Sequence, residues 1–128
     1  VIVDTSALVA VVFTEPGSER VLDRLTDAGT AGIGTPTLAE TGVVLSARLG
    51  TDAAGLLARL VEEFGLVEVP FGPDHWQEAV RAWWRWGRGR HRAGLNLGDC
   101  LTYAVASLAA EPLLYTGRDF ALTDLPAA

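Results

Sequence analysis

The chain has 128 residues, 49% of them hydrophobic and 20% charged, the size and make-up of one globular domain spanning residues 1–128. A single cysteine, Cys100, excludes an intrachain disulfide and fits a cytoplasmic setting, and neither a signal peptide nor a membrane-spanning run is expected. There is no lysine, which excludes any mechanism that needs one, and the net charge of −6 has the wrong sign for a protein that simply coats nucleic acid.

Val1–Val3 is a short β-branched apolar run and reads as a buried strand. Asp4-Thr5-Ser6 is a turn and helix-cap cluster, and Ala7–Phe13 continues as a short apolar helix. Glu15-Pro16-Gly17-Ser18 breaks it before an amphipathic helix over Glu19–Ala28. Ala31–Gly34 is a small, glycine-rich strand candidate. Thr35-Pro36 starts a helix that runs to Leu49, where Gly50 stops it. Thr51–Phe64 carries a 3.6-residue apolar stripe of Leu56, Leu57, Leu60, Val61 and Phe64.

Leu66–Val69 is the third strand, and Pro73–Trp86 a helix opened by Pro-Asp. Gly87-Arg88-Gly89-Arg90 reads as a flexible basic loop. A nearly all-apolar helix then opens at Asn96 or Gly98 and runs to about Ala110. Leu113–Tyr115 is the last strand, Thr116–Asp119 a turn, with a further helix start beyond it and a frayed tail. The order β-α-α-β-α-α-β-α-α-β-α predicts a three-layer α/β/α domain around a mainly parallel sheet of four to five short strands.

Four carboxylates fall where a strand hands over to a helix: Asp4, Glu40, Asp99 and Asp119. Open α/β folds collect their chemistry at the strand C-terminal ends. Each acid also has an ordinary job available. Asp4 can cap its helix, Glu40 can complete a capping box with Thr37, Asp99 can favour a helix dipole, and Asp119 can start a helix. Jointly they are less ordinary. Glu40 stands among Leu38, Ala39, Val43 and Val44, and Asp99 heads a helix that must be buried. Acids crowded in this way need raised pKa values or a cation. All-oxygen donors suit Mg²⁺ or Mn²⁺, which points to metal-dependent chemistry on phosphates. Thr5 and Ser6 are supporting candidates that could hold Asp4 or touch a phosphate.

Arg81, Arg85, Arg88, Arg90 and Arg92 put five of the ten arginines into twelve residues with no acid, interleaved with Trp83, Trp84 and Trp86. Arg85, Arg88, Arg90 and Arg92 are expected to face RNA or a partner, with most of the tryptophans, Trp76 and Trp83 among them, in the core or a dimer contact. His75 is expected on an exposed helix face and His91 near phosphate. A core thiol is the expectation for Cys100. A phosphoacceptor receiver domain is disfavoured by the missing lysine. A dehalogenase-like phosphatase is disfavoured because Ser6 stands where D-x-D needs its second acid.

Asp4 in VIVDTSAL, Glu40 in TPTLAET, Asp99 in GRHRAGLNLGDCLTYAVA and Asp119 in TGRDFALTD together resemble the PIN-domain ribonucleases, with the nearest likeness to VapC-type toxins. The resemblance runs along essentially the whole chain. It implies a parallel-sheet α/β fold, a Mg²⁺- or Mn²⁺-dependent endoribonuclease, a homodimer and an inhibitory antitoxin partner. It also implies an acidic quartet of Asp4, Glu40, Asp99 and Asp119, with Asp4 and Asp99 touching the metal. The turn Thr116-Gly117-Arg118-Asp119 departs from the longer segment of many relatives, leaving the fourth acid open between Asp119 and Asp124. A PIN-like scaffold that binds RNA or a partner without cutting is the competing reading.

Overall fold

The computed structural model describes all 128 residues. In chain order they form β1 (Ile2–Val3), α1 (Thr5–Val12), α2 (Ser18–Asp27), β2 (Gly32–Gly34), α3 (Thr35–Leu49), α4 (Ala54–Glu63), β3 (Val67–Val69), α5 (Pro73–Trp86), α6 (Leu97–Ala109) and β4 (Leu113–Leu114). The four strands lie in the order β3-β2-β1-β4, and every pair is parallel. The chain therefore winds outward from β1 through β2 to β3, then crosses to the other side of β1 to lay down β4. The crevice between β1 and β4 is the topological switch point, where folds of this type hold their ligands.

Strand side chains alternate between faces, and the core divides accordingly. Ile2 and Leu113 pack with Ala79, Ala82, Tyr103, Ala106 and Phe120 under α5 and α6. Val3, Ile33 and Leu114 pack with Leu8, Val21, Leu25, Leu57 and Leu66 under α1, α2 and α4. These are the three layers expected from the alternating elements. The glycines of β2 have a packing reason: a Cβ at Gly34 would stand 2.8 Å from Val105 Cγ2 on α6, so α6 can lie close over the strand only where no side chain intervenes.

Differences from the sequence reading are local. Asp4 caps α1, so the helix starts at Thr5 and not Ala7. The helix read over Thr51–Phe64 begins at Ala54, because Asp52 Oδ1 accepts the Ala54 amide and turns the chain there. No helix follows β4; residues 117–125 are bends and turns, with Gly117 in the left-handed region at φ 80°. The tail is not frayed. Leu113 N–H donates to Pro126 O and Ala128 N–H to Leu113 O, so the C-terminus pairs along the free edge of β4. The 87–95 loop is closed, not flexible: Arg88 N–H donates to Leu95 O and Leu95 N–H to Trp86 O. No helix is long and apolar enough to cross a membrane.

Candidate active site

The four acids reach the switch-point end of the sheet from four different elements. Asp4 ends β1 and is 5% exposed. Its Oδ2 accepts from the Ser6 amide at 3.0 Å and the Ser6 hydroxyl at 2.6 Å, capping α1. All of its hydrogen bonds use Oδ2, which leaves Oδ1 without a protein donor. Ser6 ties this acid to the β4 exit, since the Thr116 amide donates to Ser6 Oγ at 3.1 Å and Thr116 Oγ1 donates to Ser6 O at 3.3 Å.

Glu40 lies in the second turn of α3 and does not cap it; the cap position is Gly34. Its Oε1 accepts from Thr5 Oγ1 at 2.8 Å. Thr41 Oγ1 shares its one hydrogen between Thr37 O at 2.7 Å and Thr5 Oγ1 at 3.0 Å, and Thr37 Oγ1 meets Thr102 Oγ1 at 2.9 Å. These four threonines are buried. Their hydroxyls stitch α1, α3 and α6 together directly beneath Glu40. Sequence reasoning named Thr5, offered Thr37 only as a capping-box partner of Glu40, and missed Thr41 and Thr102. The only signal available was three threonines on otherwise apolar helix faces, where a buried hydroxyl demands a partner.

Asp99 is the third residue of α6. It forms a reciprocal capping box with Asn96: Asp99 Oδ2 accepts from the Asn96 amide at 3.0 Å, and Asn96 Oδ1 accepts from the Asp99 amide at 2.8 Å. The capping role therefore occupies one oxygen and leaves the other for a ligand. Burial pushes the Asp99 carboxyl up to about 6. The Asn96 amide opposes that shift, while the charges of Asp119, Asp4 and Glu40 reinforce it. All three other acids of the quartet are thus near enough to act on Asp99 electrostatically. Burial and the Asp99 charge push the neighbouring Cys100 thiol up to about 11, which keeps it neutral as a core residue.

Asp119 sits exposed in the turn after β4. Asp124 is placed otherwise. Its Oδ1 accepts from the Tyr103 hydroxyl at 2.6 Å, and its Oδ2 pairs with Arg85 at 3.4 Å. Asp124 is absent from the groups that perturb Asp99. Burial and this Asp124 bond together hold the Tyr103 hydroxyl up at about 12.

The arginines divide as well. Arg81 pairs with Glu78 at 3.1 Å and Arg85 with Asp124. Arg88, Arg90 and Arg92 make no salt bridge and lie exposed on the closed loop just before Asn96. Of the two places expected for the tryptophans, the core and a dimer contact, the core does not hold: Trp76, Trp83 and Trp84 are all exposed, and Trp86 is half-buried. His75 Nδ1 accepts from the Gly72 amide and His91 Nδ1 from the Ala93 amide. Both histidines therefore serve local turns, and His91 also packs edge-on against Trp86.

The donor set fits a hard divalent cation: carboxylate oxygens only, two of them free on Asp4 and Asp99, and a raised Asp99 pKa that a positive charge would relieve. The acids do not form a ready-made cage of three around one point. Such a cation would keep water among its ligands, as Mg²⁺ commonly does.

The PIN domain family model matches residues 1–125, the whole of the parallel sheet and the elements that carry the four acids. The chain belongs to that family. Among its relatives are VapC ribonuclease Mb2004c of Mycobacterium bovis and ribonuclease VapC36 of Mycobacterium tuberculosis, each 47% identical over 125 residues, 97% of this chain and 90% of the relative. Ribonuclease VapC of Mycolicibacterium smegmatis is 37% identical over 126 residues, 98% of each chain. Within the family this chain is therefore of the VapC type. Solved structures share the fold, two of them VapC or toxin-antitoxin proteins. The sarcin-ricin loop cleaving toxin VapC20 of Mycobacterium tuberculosis superimposes with a TM-score of 0.80, covering 99% of this chain and 97% of that one at 18% identity. A toxin-antitoxin complex from Klebsiella pneumoniae gives 0.70, covering 96% and 92% at 17% identity.

Proposed function

We propose that this protein is an endoribonuclease, dependent on Mg²⁺ or Mn²⁺, that acts in the cytoplasm as the toxin of a toxin–antitoxin pair. The observation that carries the reading is the placement of Asp4, Glu40, Asp99 and Asp119 around the end of the sheet where β1 and β4 part. There the Asp99 pKa is raised first by burial and further by the other three charges. A part-buried carboxyl with three more acids near it is costly to keep charged without a cation to balance it, which disfavours a non-catalytic scaffold. The names of the VapC relatives support the same activity, and the toxin-antitoxin complex among the structural neighbours supports an antitoxin partner. A homodimer is part of the proposal.

Asp4 and Asp99 would hold the cation, which supplies charge neutralisation at the phosphate and lowers the pKa of water. Ser6 fixes the Asp4 carboxylate by two hydrogen bonds, so its free oxygen has one orientation. The Asn96 amide holds one oxygen of the Asp99 carboxylate by a single hydrogen bond, and the Asn96 side chain accepts from the Asp99 amide. Glu40, held by Thr5, and Asp119 act through water, orienting it or taking its proton. The amino ends of α1 and α6 bring partial positive charge to the same place. Arg88, Arg90 and Arg92 hold the RNA backbone that the acids repel.

The test is cleavage of a mixed structured RNA pool in Mg²⁺, Mn²⁺ or EDTA by the wild type and by Asp99→Asn. Metal-dependent cutting by the wild type alone is expected. Equal cutting by both proteins would remove Asp99 from the mechanism.

A further inference from the structure

We infer that Trp84, backed by Arg90, is a base-stacking platform that selects unpaired nucleotides of the RNA; this rests on the reading of the chain as a ribonuclease. Arg90 lies with its guanidinium carbon 3.5 Å from the centroid of the Trp84 ring, and its Nε donates to Trp84 O at 2.8 Å. The same guanidinium is 5.4 Å from the Trp83 ring. The loop that carries Arg90 is fixed by its own backbone: the amides of Arg90 and His91 both donate to Gly87 O, and the two ends of the loop bond across from Arg88 to Leu95. The pair is therefore built before any ligand arrives.

Trp84 remains 63% exposed although Arg90 covers one face of the indole. That exposure leaves most of the remaining ring surface to solvent. A large aromatic left in water, with its partner cation stacked behind it, is a surface for a second flat group. An unpaired base stacks on an aromatic face whatever its identity, and a base inside a duplex has no free face to offer. Charge selects the same partner. No acid occurs between Glu78 and Asp99, whereas Arg88 and Arg92, on the same closed loop as Arg90, have no carboxylate partner in a chain of net charge −6. The loop also leads straight into Asn96 and Asp99. A nucleotide stacked here would enter the site from a fixed side.

The test uses fluorescence anisotropy of a labelled, unstructured RNA of about 12 nucleotides, a length within the range such surfaces cover, and of a duplex of the same composition. The protein carries Asp99→Asn throughout to prevent cutting. Added to that background, Trp84→Leu is expected to weaken single-strand binding about tenfold or more, leave duplex binding within about twofold, and be largely rescued by Trp84→Tyr. Unchanged single-strand affinity in Trp84→Leu would overturn the platform. So would an equal loss for duplex and single strand. A third contrary outcome is altered self-association by light scattering with RNA affinity intact, which would make this face a contact between copies. If the Trp84-intact protein binds neither RNA, the ribonuclease reading itself fails, and the platform with it.

Discussion

Glu40 lies against the α-carbon of Gly98: a methyl group built there would stand 2.9 Å from the Glu40 carboxyl carbon and closer still to one of its oxygens. The contact joins α3 to the amino end of α6, one residue before Asp99. It makes a glycine in the first turn of a helix useful, although glycine costs helix stability there. Gly98→Ala should therefore have two opposed effects. The helix gains up to about 1 kcal/mol in propensity, while Glu40 must swing away and lose its Thr5 hydrogen bond, worth about the same. Thermal stability is expected to change little, whereas RNA cleavage falls about tenfold. In a Glu40→Ala background the same substitution should stabilise the protein and cost no further activity, because the clash is gone.

Thr5→Val keeps the shape and removes the hydroxyl that holds Glu40. The carboxylate loses its buried donor and Thr41 loses an acceptor. A destabilisation of about 1–2 kcal/mol is expected by denaturant unfolding, with a drop in turnover that Thr5→Ser largely restores. A Val variant as active as the wild type would show that Glu40 needs no such support.

The two candidates for the fourth acid make opposite predictions. Asp119 faces solvent and adds repulsion at Asp99. Asp119→Asn should reduce cleavage while leaving stability equal or slightly higher. Asp124 accepts from the part-buried Tyr103 hydroxyl and pairs with Arg85. Asp124→Ala should cost about 1–2 kcal/mol of stability and leave most of the activity per folded molecule. Kinetics and unfolding curves on both variants separate the roles.

Asp99 also sets a pH dependence. Its folded pKa of about 6 stands above the ordinary 3.8, so between those values the native state binds more protons than the unfolded chain. Its contribution to stability is then greatest at low pH and is lost as pH rises through about 6. The metal-free wild type is expected to lose stability relative to Asp99→Asn over that interval. At pH 7 the Asn variant should be the more stable of the two. Divalent cation should narrow the gap by stabilising only the wild type.

The positions of the candidate acids were partly legible in the chain because Asp4 and Asp99 sit at element boundaries, whereas Glu40 lies inside α3. Asp4 follows a run of valine and isoleucine, and Asp99 heads an apolar helix; such placements need only local pattern. The threonine network was not legible, since Thr37, Thr41 and Thr102 become neighbours of Thr5 only when α3 and α6 cross. The tail was misread for a similar reason. Pro126 and Ala128 look like loose residues until β4 offers them an open edge. The core half of the tryptophan expectation failed because α5 packs inward through the small residues Ala79 and Ala82 and leaves three indoles outside.

The central claim is that the quartet holds a divalent cation through Asp99. Calorimetric titration of the protein with Mn²⁺ near pH 6, in two buffers of different ionisation enthalpy, tests it most directly. At that pH Asp99 is about half protonated by its pKa, so cation binding must expel protons. The account predicts a binding enthalpy that differs between the buffers for the wild type, and neither the difference nor comparable affinity in Asp99→Asn. Equal affinity in the two proteins, with no buffer dependence in either, would contradict it.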